Sequence, residues 1–186
     1  GYKGIRIKRY KDGTAVKTPG SKIFPYLKDN LDDVVTVDDS DIIASFLDMV
    51  ENHKMIAEGS GLLTIAALSK LKFKGKKVVS IISGGNMDVI TMSSVIQQGL
   101  IFRDRIFTVS VLLPDKPGEL AEVSNTIAKV QGNVIKLEHN QFVSTNRKAE
   151  VELRITLEAF GTEHKAEIMD ALERGGYRPR LTRTVI

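Results

Sequence analysis

The 186-residue sequence predicts an α/β protein in two parts: a partial domain built on a parallel sheet, residues 1–103, and a βαββαβ sandwich, residues 104–186. Two observations carry that division. Up to about residue 103, short uninterrupted apolar runs alternate with helical patterns, as strands covered on both faces of a parallel sheet do. Beyond it, apolar and polar residues alternate with a period of two, the mark of strands with one core face.

In the first part a turn at Thr18-Pro19-Gly20 precedes a predicted helix over residues 21–30, and residues 34–37, Val-Val-Thr-Val, form a short apolar strand. Asp38, Asp39, Ser40 and Asp41 offer capping oxygens and the negative charge that a helix N-terminus favours. The helix they open, over residues 41–53, places Ile42, Ile43, Phe46, Met49 and Val50 on one face. A further helix spans residues 61–71, and the turn Lys74-Gly75-Lys76-Lys77 leads to a second apolar strand, residues 78–82. Ser83-Gly84-Gly85-Asn86 ends that strand, ahead of a stretch with helical potential. Two or three strands make a thin parallel sheet, so this part is expected to be the carboxy-terminal piece of a larger domain.

In the second part Phe107, Val109, Val111 and Leu113 alternate with Thr108, Ser110 and Leu112 until Pro114-Asp115-Lys116-Pro117-Gly118 breaks the strand. Leu120, Val123, Ile127 and Val130 recur at helical spacing. Gln131-Gly132-Asn133 ends that helix and opens a strand with Val134, Ile135 and Leu137. After a polar loop at residues 144–148, Ala149, Val151, Leu153, Ile155 and Leu157 face inward, with Glu150, Glu152, Arg154, Thr156 and Glu158 outward. A helix over residues 162–174, striped by Ile168, Ala171 and Leu172, stops at Gly175-Gly176, and residues 177–186 return as a strand. Ala121-Glu122-Val123 before Gly132 and Ala166-Glu167-Ile168 before Gly175 form a loose internal repeat. Two βαβ halves of this kind make a ferredoxin-like sandwich.

Composition narrows the function classes. Hydrophobic residues at 42% and charged residues at 27% are ordinary for a soluble globular protein. No apolar run approaches the roughly 18 residues of a membrane span, and the first residues lack the apolar stretch of a secretory signal, so a cytoplasmic protein without a membrane partner is expected. The chain has no cysteine, which excludes disulfides and thiolate chemistry. The net charge of +4 comes from Lys3, Arg6, Lys8, Arg9 and Lys11; the remainder carries −1, and no nucleic-acid partner is expected. His53, His139 and His164 stand at no metal-ligand spacing, so no metal is expected. Gly59-Ser60-Gly61-Leu62-Leu63-Thr64 departs from a dinucleotide fingerprint, having Thr64 where a glycine belongs and a helical pattern in front.

Ser83-Gly84-Gly85-Asn86 is the remaining candidate. At the carboxy end of a parallel strand, where ligands gather in open α/β sheets, the glycines would let a ligand approach and Ser83 would supply a hydroxyl. A tight strand-to-helix turn with a capping hydroxyl reads the same residues equally well.

Four strings stand in order along the chain: 12–20, Asp-Gly-Thr-Ala-Val-Lys-Thr-Pro-Gly; 34–42, Val-Val-Thr-Val-Asp-Asp-Ser-Asp-Ile; 57–61, Ala-Glu-Gly-Ser-Gly; and 79–88, Val-Ser-Ile-Ile-Ser-Gly-Gly-Asn-Met-Asp. In order and spacing they resemble the carboxy-terminal part of threonine ammonia-lyases, pyridoxal-phosphate enzymes of the tryptophan-synthase-β type. The rest is similar to the ACT regulatory domain that follows in many of them. The resemblance implies that Ser83 hydrogen-bonds the pyridine nitrogen of pyridoxal phosphate. Gly84 and Gly85 would admit the ring, and Asn86 and Glu58 would stand at the cofactor wall; Glu58 also suits a helix start.

The Schiff-base lysine and the glycine-rich phosphate loop of that family do not occur in this sequence. The chain by itself therefore has no catalytic residue of that kind, and is expected neither to hold the cofactor nor to act as a lyase. For the ACT part the resemblance implies an amino-acid effector such as isoleucine or valine, or a nucleotide. It would be held by Asp115, Lys116, Pro117, Gly118, Glu119 and Leu120, with Asn133 and Val134 across a homo-oligomeric contact. The alternative is a small-molecule-binding or RNA-binding βαββαβ module without lyase ancestry. RNA recognition on such a sheet needs stacked aromatics, and the third strand has none and carries Glu150 and Glu152.

Overall fold

The computed structural model describes residues 20–72, 74–140 and 150–185. The basic start, most of the first string, Ala149 and the loop at residues 144–148 lie outside them. The chain forms two compact units, Gly1–Gly99 and Leu100–Ile186.

In the first unit α1, Phe24–Asn30, has a proline in its first turn and buries no residue. Helix α2, Asp39–Asp48, starts at the predicted acidic cluster, where the Asp38 N–H donates to Asp41 Oδ2 at 2.9 Å. Lys70 Nζ stands 2.8 Å from the same oxygen and 3.1 Å from Asp38 Oδ2. The Lys70 ammonium, joined by the Asp38 N–H, holds the Asp41 carboxyl below its ordinary pKa. Replacing Asp41, which closes the capping box from the third helical position, by alanine is expected to cost this unit about 1 kcal/mol, the scale of one hydrogen bond, read as a lower urea midpoint.

Helix α2 runs directly into a π turn, Met49–His53, which ends at Lys54 with φ 57° in the left-handed region. A 3₁₀ turn, Ser60–Leu62, leads into α3, Leu63–Leu68, and α4 spans Val89–Phe102. Ile42, Phe46, Met49, Ala57, Leu62, Ala66 and Val95 form the core. Leu47, absent from the predicted apolar face, is buried as well. The reason is α4: a Cβ on Gly99 would lie 2.5 Å from Leu47 Cδ1, so the helix backbone rests on that side chain.

The predicted parallel sheet is corrected here. No strand occurs among the described residues of this unit, and residues 34–37 and 78–82 form none. Val34, Val79 and Ile81 are 58%, 89% and 74% exposed. β-branched runs supply strand propensity, but a strand exists only through a neighbour's N–H and C=O groups, and these runs pair with nothing among the described residues.

The second unit follows its predicted order. Strands β1, Ile106–Pro114, β2, Asn133–Asn140, β3, Glu150–Glu158, and β4, Arg180–Thr182, alternate with α5, Glu119–Lys129, and α6, Thr162–Arg174, as βαββαβ. The sheet order is β2-β3-β1-β4, and every pairing is antiparallel. Phe107, Val109, Val111 and Leu113 stand opposite Leu157, Ile155, Leu153 and Val151. All eight are buried in one cluster with Val123, Ile127, Ile168 and Leu172, so both helices cover this face. On the other face the Thr108 and Thr156 hydroxyls meet at 3.0 Å, and Ser110 Oγ donates to Glu152 Oε1 at 2.5 Å.

Candidate functional site

In the first unit two segments meet backbone to backbone. Residues 57–61 leave the core at Ala57, and residues 81–86 lie against them. The Glu58 N–H donates to the Gly84 carbonyl at 3.3 Å. Gly84 adopts φ +79° directly beneath the Glu58 side chain: a Cβ there would fall 2.5 Å from Cδ and 3.0 Å from Cγ of Glu58. Glu58 Oε1 in turn accepts a hydrogen bond from Ser60 Oγ at 2.9 Å. Gly61, buried, faces the Ser83 carbonyl, and Thr64 Oγ1 donates to the Ile81 carbonyl at 2.9 Å.

These contacts leave Ser83, Gly84, Gly85 and Asn86 exposed as a rim, with Glu58 half-buried behind it. No hydrogen bond engages the Ser83 hydroxyl among the described residues, so it is free to donate to a ligand. Beyond the rim Asp88 starts α4, its Oδ1 accepting from the N–H groups of Ile90 and Thr91 at 3.0 and 2.9 Å and its Oδ2 from Thr91 Oγ1 at 2.5 Å. The Thr91 hydroxyl and N–H hold the Asp88 carboxyl below its ordinary pKa. The ionised cap is kept above the normal carboxylate pKa and lost as pH falls through the lowered value. Exchange of the Ile90 and Thr91 amides is accordingly expected to accelerate below pH about 4 relative to the middle of α4, which hydrogen-exchange NMR reads.

The predicted cofactor residues are thus brought together. Gly61 and Thr64 hold the rim from behind, a role the sequence does not assign them: Gly61 stands within the string 57–61 and Thr64 is the residue that breaks a dinucleotide motif. The usable signal was a second glycine-rich string that could lie against Ser83-Gly84-Gly85.

In the second unit Asp115, Lys116, Pro117, Gly118, Glu119 and Leu120 form one continuous turn into α5. Gly118 is the residue before the helix, at φ +98°. The Lys116 N–H donates to the Pro114 carbonyl at 2.9 Å and the Glu122 N–H to the Gly118 carbonyl at 3.1 Å. Asp115, Pro117 and Gly118 are exposed, as is Leu120. Asn133 Nδ2 donates to Glu158 Oε2 at 3.0 Å, and Val134 packs on the core. Among the described residues no hydrogen bond joins this turn to Asn133 or Val134, and no group of three or more histidines and carboxylates is arranged for a metal. No described helix is long and apolar enough to cross a membrane.

Residues 3–84 match the family described as pyridoxal-phosphate dependent enzyme. The chain is 35% identical over 168 residues to an L-threonine ammonia-lyase of Geobacter sulfurreducens, covering 89% of this chain and 42% of that protein. It is 35% identical over 171 residues to an L-threonine ammonia-lyase of Thermotoga maritima, covering 91% and 43%. With a biosynthetic L-threonine dehydratase of Staphylococcus aureus the identity is 33% over 142 residues, covering 75% and 34%. The chain therefore spans about two fifths of the length of the first two relatives.

Proposed function

We propose, on the premise that this chain belongs to the pyridoxal-phosphate dependent enzymes through residues 3–84, that it is part of a threonine ammonia-lyase, converting threonine to 2-oxobutanoate and ammonia. The observation that carries this reading is the rim itself: an exposed Ser83 hydroxyl, unengaged among the described residues, on a backbone clamped by Glu58, Gly61 and Thr64, within a chain similar to threonine ammonia-lyases along 168 residues.

The donor set fits the cofactor. Ser83 is a neutral hydroxyl able to hydrogen-bond a pyridine nitrogen, Gly85 presents no side chain to a flat ring, and Asn86 adds an exposed amide, while the space a Gly84 side chain would take is filled by Glu58. Glu58 lies behind them, against Gly84. Pyridoxal phosphate, when bound, supplies the electron sink for β-elimination of water. A hydroxyl partner leaves the pyridine nitrogen less fully protonated than a carboxylate would, which suits elimination over transamination. The 186-residue chain by itself carries no lysine in the family's Schiff-base sequence, and we expect it to leave threonine unchanged; ammonia release by the purified chain would overturn that.

The second unit is read as an ACT regulatory domain. It binds an amino acid such as isoleucine or valine at Asp115–Leu120, with Asn133 and Val134 contributed across a homo-oligomeric contact. The exposed turn, the left-handed Gly118 and the amides at the start of α5 support that reading. Regulation requires the effector to favour one of two states of the enzyme.

Calorimetric titration with isoleucine, valine and AMP tests the effector site; heat from one of the three is expected, and silence from all removes the regulatory reading. In the enzyme containing this chain, Ser83→Ala is expected to shift the absorbance of bound pyridoxal phosphate and to lower turnover. An unchanged spectrum and rate would remove Ser83 from the site.

A further inference from the structure

The two glycines of Gly59-Ser60-Gly61 are not equivalent in space. A Cβ on Gly59 would reach Ile42 Cγ2 at 3.7 Å, an ordinary contact. On Gly61 it would fall 2.8 Å from the Ser83 carbonyl carbon and 3.1 Å from the Gly84 oxygen, with the Ser83 oxygen closer still. The obstructing atoms are backbone and cannot rotate aside. Gly61 is outside the left-handed region, so what it supplies is room alone.

Thr64, three residues on, shares the helical face of Gly61. Its hydroxyl donates to the Ile81 carbonyl. One face of the segment from Ser60 to Leu68 thus holds two carbonyls of the facing chain, Ile81 by a hydrogen bond and Ser83 by a missing side chain. Those carbonyls flank Ile82, which packs on the core of this unit. The backbone leading to the Ser83 side chain is therefore fixed from two sides.

We propose that Gly61 and Thr64 are positioning residues for Ser83: together they set the depth of the Ser83 backbone and hence the place where its hydroxyl is offered to the cofactor. The proposal rests on the reading of Ser83 as a partner of pyridoxal phosphate. Neither residue touches the cofactor; both act through the Ile81–Ser83 backbone.

The test has two arms. In the enzyme containing this chain, the affinity for pyridoxal phosphate and the absorbance band of the bound cofactor are measured for Gly61→Ala, Thr64→Val, Thr64→Ser and Gly59→Ala. Gly59→Ala leaves both readouts unchanged. Gly61→Ala weakens binding about tenfold or more and shifts the band, as a displaced contact group does. Thr64→Val weakens binding about fivefold, the factor one hydrogen bond is worth, and Thr64→Ser restores it.

If Gly61→Ala does not fold, the threonine pair decides. Unchanged affinity and band in Thr64→Val, or in a folded Gly61→Ala, overturn the proposal. In the second arm the amide NMR shifts of Ser83 to Asn86 are compared in the 186-residue chain: they move in Thr64→Val and Gly61→Ala and stay in Gly59→Ala, and shifts that stay in all three overturn the clamp. A wild-type enzyme that binds no pyridoxal phosphate would sink the proposed function, while this second arm still decides the clamp.

Discussion

Gly132→Ala is expected to cost the second unit about 1–3 kcal/mol by overpacking, and Ile127→Ala about 2–5 kcal/mol by opening a cavity. The two costs are linked. A Cβ on Gly132 would lie 2.6 Å from Ile127 Cγ2, 3.2 Å from Ile168 Cδ1 and 3.3 Å from the Ile127 carbonyl oxygen. Ile127 and Ile168 are 1% and 0% exposed, so neither side chain can swing into water. Shortening Ile127 removes the nearest obstruction, and the added methyl enters part of the space released. The double variant should therefore be less destabilised than the sum of the singles, with a coupling of about 0.5–3 kcal/mol. Urea denaturation of the four proteins, followed by a probe within residues 100–186, checks this; strict additivity would mean that the 132 methyl escapes another way.

The second large effect centres on Asp104. It sits at φ 55°, a conformation that Asp and Asn tolerate. Its Oδ1 lies 2.6 Å from Lys165 Nζ and its Oδ2 accepts from Thr162 Oγ1 at 3.0 Å, which ties the start of α6 to the approach of β1. Lys165 also stands over the Phe107 ring at 5.5 Å. The two charges are only 27% and 20% exposed. Asp104→Asn keeps the backbone and the shape but removes the charge, and should cost about 2 kcal/mol at pH 7, as loss of a charged hydrogen-bonded pair does.

The pH dependence has a definite sign. Lys165, and after it Thr162, hold the Asp104 carboxyl below its ordinary pKa. The pair's contribution is complete above the unfolded value of about 3.9 and disappears as pH falls through the lowered folded value. The melting temperatures of wild type and Asp104→Asn should differ most at neutral pH and converge below pH about 4. A difference that stayed constant into acid would exclude the ion pair as its source.

What could be read from sequence depended on whether the cause of a feature was local. Helix α6 runs from Thr162 to Arg174 as predicted, because Gly161 and Gly175 flank it and its apolar stripe is internal to it. β1 and β3 were legible because each carries its own alternation. β2 was less so: Val134 and Leu137 stand opposite the core residues Leu157 and Ile155, with an irregularity between Val134 and Lys136. Ile135 is the extra residue there, 44% exposed, and it resets the alternation that Val134-Ile135-Lys136-Leu137 breaks.

The parallel sheet failed for the opposite reason. Residues 34–37 and 78–82 have the composition of strands, but pairing partners are not a property of a strand's own residues. The rim behaved likewise: Ser83-Gly84-Gly85 announced itself, whereas the need for glycine at 61 arises from a carbonyl far along the chain.

The wide turn at Met49–His53 makes chain length in this region a matter of phase. Each helical residue carries the next side chain about 100° around the axis. Deleting one residue there would shift the following side chains of the turn by that angle and bring Met55 to the left-handed position that Lys54 holds. The short non-helical segment that follows leads straight to Ala57, 2% exposed, and to Glu58 against Gly84, so insertions and deletions between Asp48 and Ala57 should be far less tolerated than in the exposed approach to α2.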